Sequence, residues 1–352
     1  MRKYLLPKEG NFYKANLHSH SKLSDGGFTR EEMKEEYKKR GYSIVAFSDH
    51  DTLRCTYELT DEEFLALTSY EISIRSDDIE IPHAYRKVMD FNLISKTPYN
   101  DTVVGFHPSR VEWLVKRGAM TQKFADNIKY NAPMDLHLYT ANINKIIREA
   151  HENGYLVTMN HPMWSLANYN DYANVEGLWA VEVYNHGCAA LSGMSDSEGV
   201  FDDILRTGKN IFCVAADDNH NNTDVPLIDS FGGFTMIKSP SLEYGEIISA
   251  MENGHFYASC GPEIYELYYE DGKVHIECSE ADEICMTTLG RRGARVKDLS
   301  GKTITSADFA IDKELFGYVR FKVVDKSGKK AYTNAYYVDE LCDGASANRI
   351  VF

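Results

Sequence analysis

Apolar residues recur along this chain in short runs, separated by longer stretches with the spacing of helices. Tyr13–Leu17, Ser43–Phe47, Tyr155–Met159, Leu178–Tyr184, Asn210–Ala215 and Gly233–Ile237 each read as a strand. The intervening helices have legible ends. Thr29-Arg-Glu-Glu32 is a capping box opening a helix to Arg40, and Gly41 stops it. Gly154, Gly208 and Gly254 close further helical segments. Strands alternating with helices up to about residue 258 imply a mostly parallel α/β sheet, open or closed into a barrel.

Two regions depart from that rhythm. Residues 84–142, rich in Tyr, Asn and Pro, read as a long insertion with helix around Arg110–Arg117. After Gly261-Pro262, Ile264–Tyr269 and Val274–Cys278 flank the hairpin dipeptide Asp271-Gly272. Val319, Phe321 and Val323 then alternate with Arg320 and Lys322, and Lys326-Ser-Gly-Lys329 turns the chain into a tyrosine-rich strand, Ala331–Val338. The expected organisation is an α/β domain over 1–262 and an all-β module over 263–352, most simply a small sandwich.

Charge narrows the partners. A formal net charge of −15 over 352 residues disfavours a nucleic-acid groove, which draws its affinity from arrayed Lys and Arg. It leaves open a small anionic substrate held by metal ions, which bring their own positive charge. The seven cysteines are scattered and form no Cys-x-x-Cys, as expected of reduced thiols in a cytoplasmic protein. The N-terminal MRKYLLPKEGNFYK has no signal-like apolar run, and no stretch approaches the roughly 18 apolar residues of a membrane span. No membrane association is expected.

The candidate chemistry lies at strand ends. His18 and His20 are two apart at the end of the first strand, so both side chains can face one ion. Asp25 follows. Ser43–Phe47 runs into Ser48-Asp49-His50; Glu71 offers a carboxylate, and His83 comes twelve residues later. Tyr155–Met159 leads to His161, and Ile211–Ala216 to Asp217-Asp218-Asn219-His220. Imidazoles and carboxylates recurring where successive strands end build one site for several divalent ions from distant segments.

These residues resemble the motifs of the PHP (polymerase and histidinol phosphatase) superfamily of metal-dependent hydrolases. Val181-Glu-Val-Tyr-Asn185, Ala215–His220 and Gly254-His-Phe-Tyr-Ala-Ser-Cys-Gly-Pro262 further resemble its carbaryl-hydrolase-like (CehA/McbA) branch, although Cys260 stands where that branch tends to carry Thr. The resemblance implies a distorted, seven-stranded TIM-like (β/α) barrel over 1–262 and two to three divalent ions, Zn, Mn or Fe. It implies that His18, His20, Glu71 and Asp218 hold a first ion. Glu71 would bridge to a second ion on His83 and His161, with His107 as the fallback for His83, and Asp25, His50 and His220 would hold a third.

Such a site makes a water nucleophilic at neutral pH, so no protein nucleophile is required, and the chain has no Gly-x-Ser-x-Gly elbow. The expected activity is phosphoester hydrolysis on a small phosphorylated metabolite or nucleotide. Carboxylic or carbamate ester hydrolysis on the same metals is the alternative, and a metal-stabilised binding scaffold is the reading without catalysis. Cations at the pocket mouth would favour phosphate; Arg54, Arg75 and Arg86 are candidates for such a clamp, although the ordinary expectation for each is a surface charge. Asn185 and His186 are candidate substrate contacts. Asp49, Asp51 and Asp217 either orient a ligand histidine or serve a turn.

Overall fold

Each of the six runs expected as strands forms one. The computed structural model describes residues 2–76 and 80–343, apart from the side chains of His83 and Asp343. The strands are β1 (Asn11–Asn16), β2 (Ile44–Phe47), β3 (Leu65–Arg75), β4 (Val88–Ser95), β5 (Tyr155–Met159), β6 (Ala180–Asn185), β7 (Phe212–Ala216), β8 (Phe234–Ser239) and β9 (Phe256–Ser259). They lie in the order β7-β6-β5-β4-β3-β2-β1-β8-β9. Pairing is parallel along β1-β2-β3 and β5-β6-β7, and antiparallel where β4 joins β3 and β5.

Three of these strands, β3, β4 and β9, were not legible. β3 and β4 follow one another without an intervening α-helix, and β4 lies within residues 84–142. That stretch is therefore not all insertion: Val88–Ser95 sits in the middle of the main sheet. The helix expected around Arg110 is α2 (Pro108–Lys116), after α1 (Arg30–Lys38) with its Thr29–Glu32 capping box. The remaining longer helices of this region are α3 (Thr140–Glu152), α4 (His186–Ser192), α5 (Glu198–Arg206) and α6 (Tyr244–Glu252).

The sheet has two differently used faces. Tyr70, Ile72 and Ile74 of β3 and Phe91 and Leu93 of β4 pack with Ile143, Ile146 and Ile147 of α3. On the other face, Ala15, Ile44, Leu65, Ile94, Leu156, Ala180, Val214 and Ile237, from eight different strands, meet in one buried cluster with Ile247 and Met251 of α6. Residues two apart share a face, so on β3 the side begun by Leu65 and Leu67 continues as Ser69, Glu71 and Ser73 towards the end where the histidines lie. At that rim the chain after β7 meets the end of β1. Asp218 N–H donates to His18 O at 2.9 Å and His20 N–H to Asn219 O at 3.0 Å.

The C-terminal strands are β10 (Ile264–Glu270), β11 (Lys273–Ala281), β12 (Glu283–Thr288), β13 (Ile304–Ala310), β14 (Tyr318–Val324) and β15 (Lys330–Thr333). Asp271 and Gly272 both take positive φ (48° and 78°), which the tight β10–β11 turn requires. β10, β11 and β13 form a separate sheet, whereas β15, β14 and β12 extend the main sheet beyond β9. Both share a core with the α/β region, in which Leu267, Ile276, Phe309 and Phe321 pack together with Met33, Tyr37 and Phe47. The strand expected over Ala331–Val338 is interrupted after Thr333 and resumes at Tyr336–Tyr337, which pairs antiparallel with β14. Asn334 turns inward, donating to Gly254 O and Phe256 O and accepting from Cys213 N–H, and Val338–Asp343 is helical. Among the described residues no helix is long and apolar enough to cross a membrane.

Candidate metal centre

The rim opposite α6 brings eight of the nine expected ligands into three overlapping groups: His18, His20 and Asp218; His18, Glu71 and His161; and His20, Asp25, His50 and His220. His83 begins a short 3-10 turn, and its side chain lies outside the described residues. The fallback, His107, joins none of the three groups. It is exposed at the start of α2, where its Nδ1 accepts the Ser109 N–H.

Backbone geometry explains how strand ends deliver these side chains. His161 and Asp218 take left-handed conformations (φ 28° and 54°) just beyond β5 and β7, and Asp51 does so beyond β2 (φ 52°). Each such residue costs about 1–3 kcal/mol, and the surrounding hydrogen bonds hold it in place. Asp51 N–H, for example, donates to Glu71 O at 2.7 Å.

Glu71 is the hub. Oε1 lies 3.2 Å from His18 Nε2 and 3.5 Å from His161 Nε2; Oε2 lies 3.0 Å from His50 Nδ1 and 3.4 Å from His20 Nε2. Asp218 Oδ1 is 3.1 Å from Nε2 of both His18 and His20. Donor atoms about 2.1 Å from a tetrahedral ion stand about 3.4 Å apart, so this spacing fits a shared cation. Asp25 is looser, 3.6 Å from both His50 and His220. His20 Nδ1, on the other side of the ring and 3.8 Å from Asp25 Oδ1, is buried without a hydrogen-bond partner.

The electrostatics fit the same use. Burial opposes every charge here, yet the groups hold one another ionised. Glu71 beside it pushes His50 up to about 10, and Glu71 with Asp218 takes His161 to about 9. His18 is raised well above the ordinary imidazole value by Asp218, Glu71 and Glu182. His18 and His50 hold Glu71 far below the usual carboxylate range, and Asp218 and Asp25 are lowered as well. Divalent ions would take over the role of those protons. His220 moves the other way, lowered by burial and by His20.

Around the ligands stands a second ring of groups, part of which pattern reading missed. Glu182 accepts from His18 Nδ1 at 2.7 Å and from the His161 backbone N–H at 2.9 Å. Its sequence signal is a lone carboxylate inside the apolar run of β6. Asn160 donates to Glu71 Oε1 at 2.7 Å. Asp49 ties the His20–Asp25 loop down, accepting from Ser21 N–H, both Ser21 and Ser24 hydroxyls, and Arg30 at 2.7 Å. Asp217 does the same for the N–H groups of Phe231, Gly232 and Gly233. Asn185, expected at the substrate, is instead fully used inside the protein. Its amide donates to Glu182 and Asp218, its oxygen caps α4, and it is buried. His186 contacts the Tyr184 hydroxyl and packs against Gly232, where a Cβ would lie 2.1 Å from its ring.

A cleft of about 960 Å³ opens from Asp25 and His50. Its wall carries Arg75, Arg110, Asp51 and Trp113. Arg54 lies elsewhere, paired with Glu58 on the surface, and Arg86 donates to Ile81 O.

No family model matches this chain, and no curated protein does. Three of the solved structures similar to it illustrate the likeness. One is a two-domain protein from Bacteroides vulgatus ATCC 8482 containing a predicted PHP-like metal-dependent phosphoesterase, at 14% identity over 95% of this chain and 98% of that one, with a TM-score of 0.44. Another is a candidate metal-dependent phosphoesterase from Bifidobacterium adolescentis ATCC 15703, at 17% identity over 61% and 89%, TM-score 0.33. The third is an amidohydrolase from Chromobacterium violaceum with bound sulfate and no metal, at 15% identity over 58% and 87%, TM-score 0.33.

Proposed function

We propose that this chain is a metal-dependent hydrolase of the PHP kind, a phosphoesterase acting on a small phosphorylated molecule. In this reading residues 1–262 form the seven-stranded barrel, and 263–352 a packed β module that supplies no ligand. The observation that carries the proposal is the continuity of the His/Asp/Glu groups with a cleft walled by Arg75 and Arg110. His18, His20, Glu71 and Asp218 would hold one ion, Glu71 and His161 with His83 a second, and Asp25, His50 and His220 a third. When bound, divalent ions lower the pKa of a coordinated water from 15.7 towards about 7 and polarise a phosphoryl oxygen.

The chain's own residues do the rest. Glu182 keeps the proton of His18 on Nδ1, which leaves Nε2 as a donor. Arg75 is exposed at the cleft and Arg110 half-buried beside it, both placed to balance the charge of a phosphate group seated against His50 and Asp25. An uncharged carboxylic or carbamate ester brings no charge of its own for them to balance on binding, and so the phosphoester reading is preferred.

The test is a panel of phosphomonoesters and carboxylic or carbamate esters, run on the Mn, Zn and Fe forms alongside elemental analysis. Two to three ions per chain with phosphoester turnover is the expected result. Ester turnover without phosphoester turnover overturns the substrate class, and an inability to bind any of the three metals overturns the whole reading.

A further inference from the structure

We propose that Asp90 is a further metal ligand, completing the coordination of the ion held between Glu71 and His161; this rests on the metallohydrolase reading above. Asp90 lies near the start of β4, the strand hidden within the region expected as an insertion, and no motif points to it.

The ladder fixes where it faces. Asp90 stands opposite Ser73 of β3, and Asn92 opposite Glu71. Residues two apart on a strand share a face, so Asp90 projects to the same side as Glu71 and sits diagonal to it. Its Oδ2 is 3.8 Å from His161 Nε2, the same atom that lies 3.5 Å from Glu71 Oε1 and 3.7 Å from Asp218 Oδ2. Two donors each about 2.1 Å from one ion are separated by about 3–4 Å across the usual range of coordination angles, and all three spacings fall there. Asp90 is 5% exposed, and its Oδ1 is buried without a hydrogen-bond partner. Carboxylates crowded together in a buried place repel each other unless a proton or a cation lies between them.

The nitrogen it faces separates a ligand from an orienting group. Glu182 meets His18 at Nδ1, away from the donor nitrogen, which is the orienting geometry. His161 already has Ser165 Oγ at its Nδ1, at 3.2 Å, and Asp90 approaches Nε2 instead. Nε2 cannot carry a proton for Asp90 and also bind an ion. In the loaded protein the carboxylate therefore meets the ion rather than the ring.

The experiment compares the full-length wild type with Asp90→Asn and Asp90→Glu after loading with Mn, Zn or Co. Circular dichroism checks folding. Asp90→Asn should lose one ion equivalent, or bind it at least about 100-fold more weakly, a larger effect than the roughly 10–100-fold typical of an orienting partner. The other ions should stay. Asp90→Glu retains a carboxylate and should keep the ion while shifting the visible absorption of the Co form. If Asp90→Asn does not fold, that shift alone decides. Full stoichiometry and affinity in Asp90→Asn, or an unshifted Co spectrum in Asp90→Glu, overturns the assignment while the metal reading stands. A wild type that binds no ion defeats the underlying reading instead.

Discussion

Glu182 meets His18 on the nitrogen turned away from the ligand cluster, with Oε1 2.7 Å from Nδ1 and both groups buried. Since a neutral imidazole carries its proton on one nitrogen, this contact presents Nε2 to the ion as a lone pair. The same carboxylate fixes the backbone N–H of His161 through Oε2, so one side chain orients ligands from two strands.

Glu182→Gln keeps the shape and a weaker acceptor but removes the charge. Metal affinity should fall about 10–100-fold with the fold unchanged. Competition against a chromogenic chelator measures it. Unaltered affinity would mean that His18 is held by packing alone.

Stability and metal binding should respond to pH in opposite senses. In the metal-free chain His50 is raised to about 10, His161 to about 9, and His18 also upward. Their contribution to stability is complete below the unfolded imidazole value of about 6.5 and is lost as pH climbs through 9 to 10. The lowered carboxylates Glu71, Asp218 and Asp25 stabilise above about 4 and lose that effect in acid. Metal must displace the histidine protons, so its binding strengthens as pH rises. Calorimetry with chelator and with Mn, at pH 6 and pH 8.5, should show a metal-induced rise in Tm that grows with pH. A rise that shrinks would contradict the proton-for-metal exchange.

Arg320 links the C-terminal strands to the helix behind β6. Its guanidinium is 1% exposed and contacts Asp202 through Nε and Nη2 and Glu198 through Nη2, all at 2.8 Å. Arg320→Met leaves the buried Asp202 carboxylate unpaired and should destabilise by about 3–5 kcal/mol. Metal stoichiometry of the folded variant should not change. Denaturant titration reads the first expectation and elemental analysis the second; a stability loss under about 1 kcal/mol would show that the pair behaves as a solvated one.

The parts of the site that were legible share one property. His50, His161 and Asp218-Asn-His220 each stand just past an apolar run, where a change of residue type is visible against the strand. Glu182 and Asp90 lie inside strands, where period-two alternation makes an inward carboxylate look like an ordinary outward one. β3 escaped because its inward face carries Ser69, Glu71 and Ser73 where an apolar run was sought. β4 escaped because an antiparallel neighbour needs no crossover helix to announce it. Arg110 was read as part of a helix, but which way that helix faces the cleft depends on the packing of 84–142 against β3. Asn334 interrupts an expected strand because its side chain bonds the loop after α6, a contact set by a residue eighty positions away.

Glu71→Gln tests the hub itself. Both carboxylate oxygens are engaged: Oε1 by His18, His161 and the Asn160 amide, Oε2 by His50 and His20. Glutamine is nearly isosteric, so packing is preserved, but one of the two accepting oxygens is replaced by a donating NH2 group. Placed at Oε1, that group would face the Asn160 amide donor and could not bind a cation; placed at Oε2, it would remove the anion beside His50 and His20. Either orientation strips negative charge from a position shared by two ion sites. The variant should fold, lose at least one ion, and lose at least about 100-fold in turnover of a generic phosphomonoester, the scale seen when a preorganised charge is removed. Turnover and metal content are measured on the same preparation, with His275→Gln in β11 as the control. Near-wild-type turnover in a folded Glu71→Gln protein would remove Glu71 from the role of bridging ligand, and with it the shared-ion arrangement proposed for this rim.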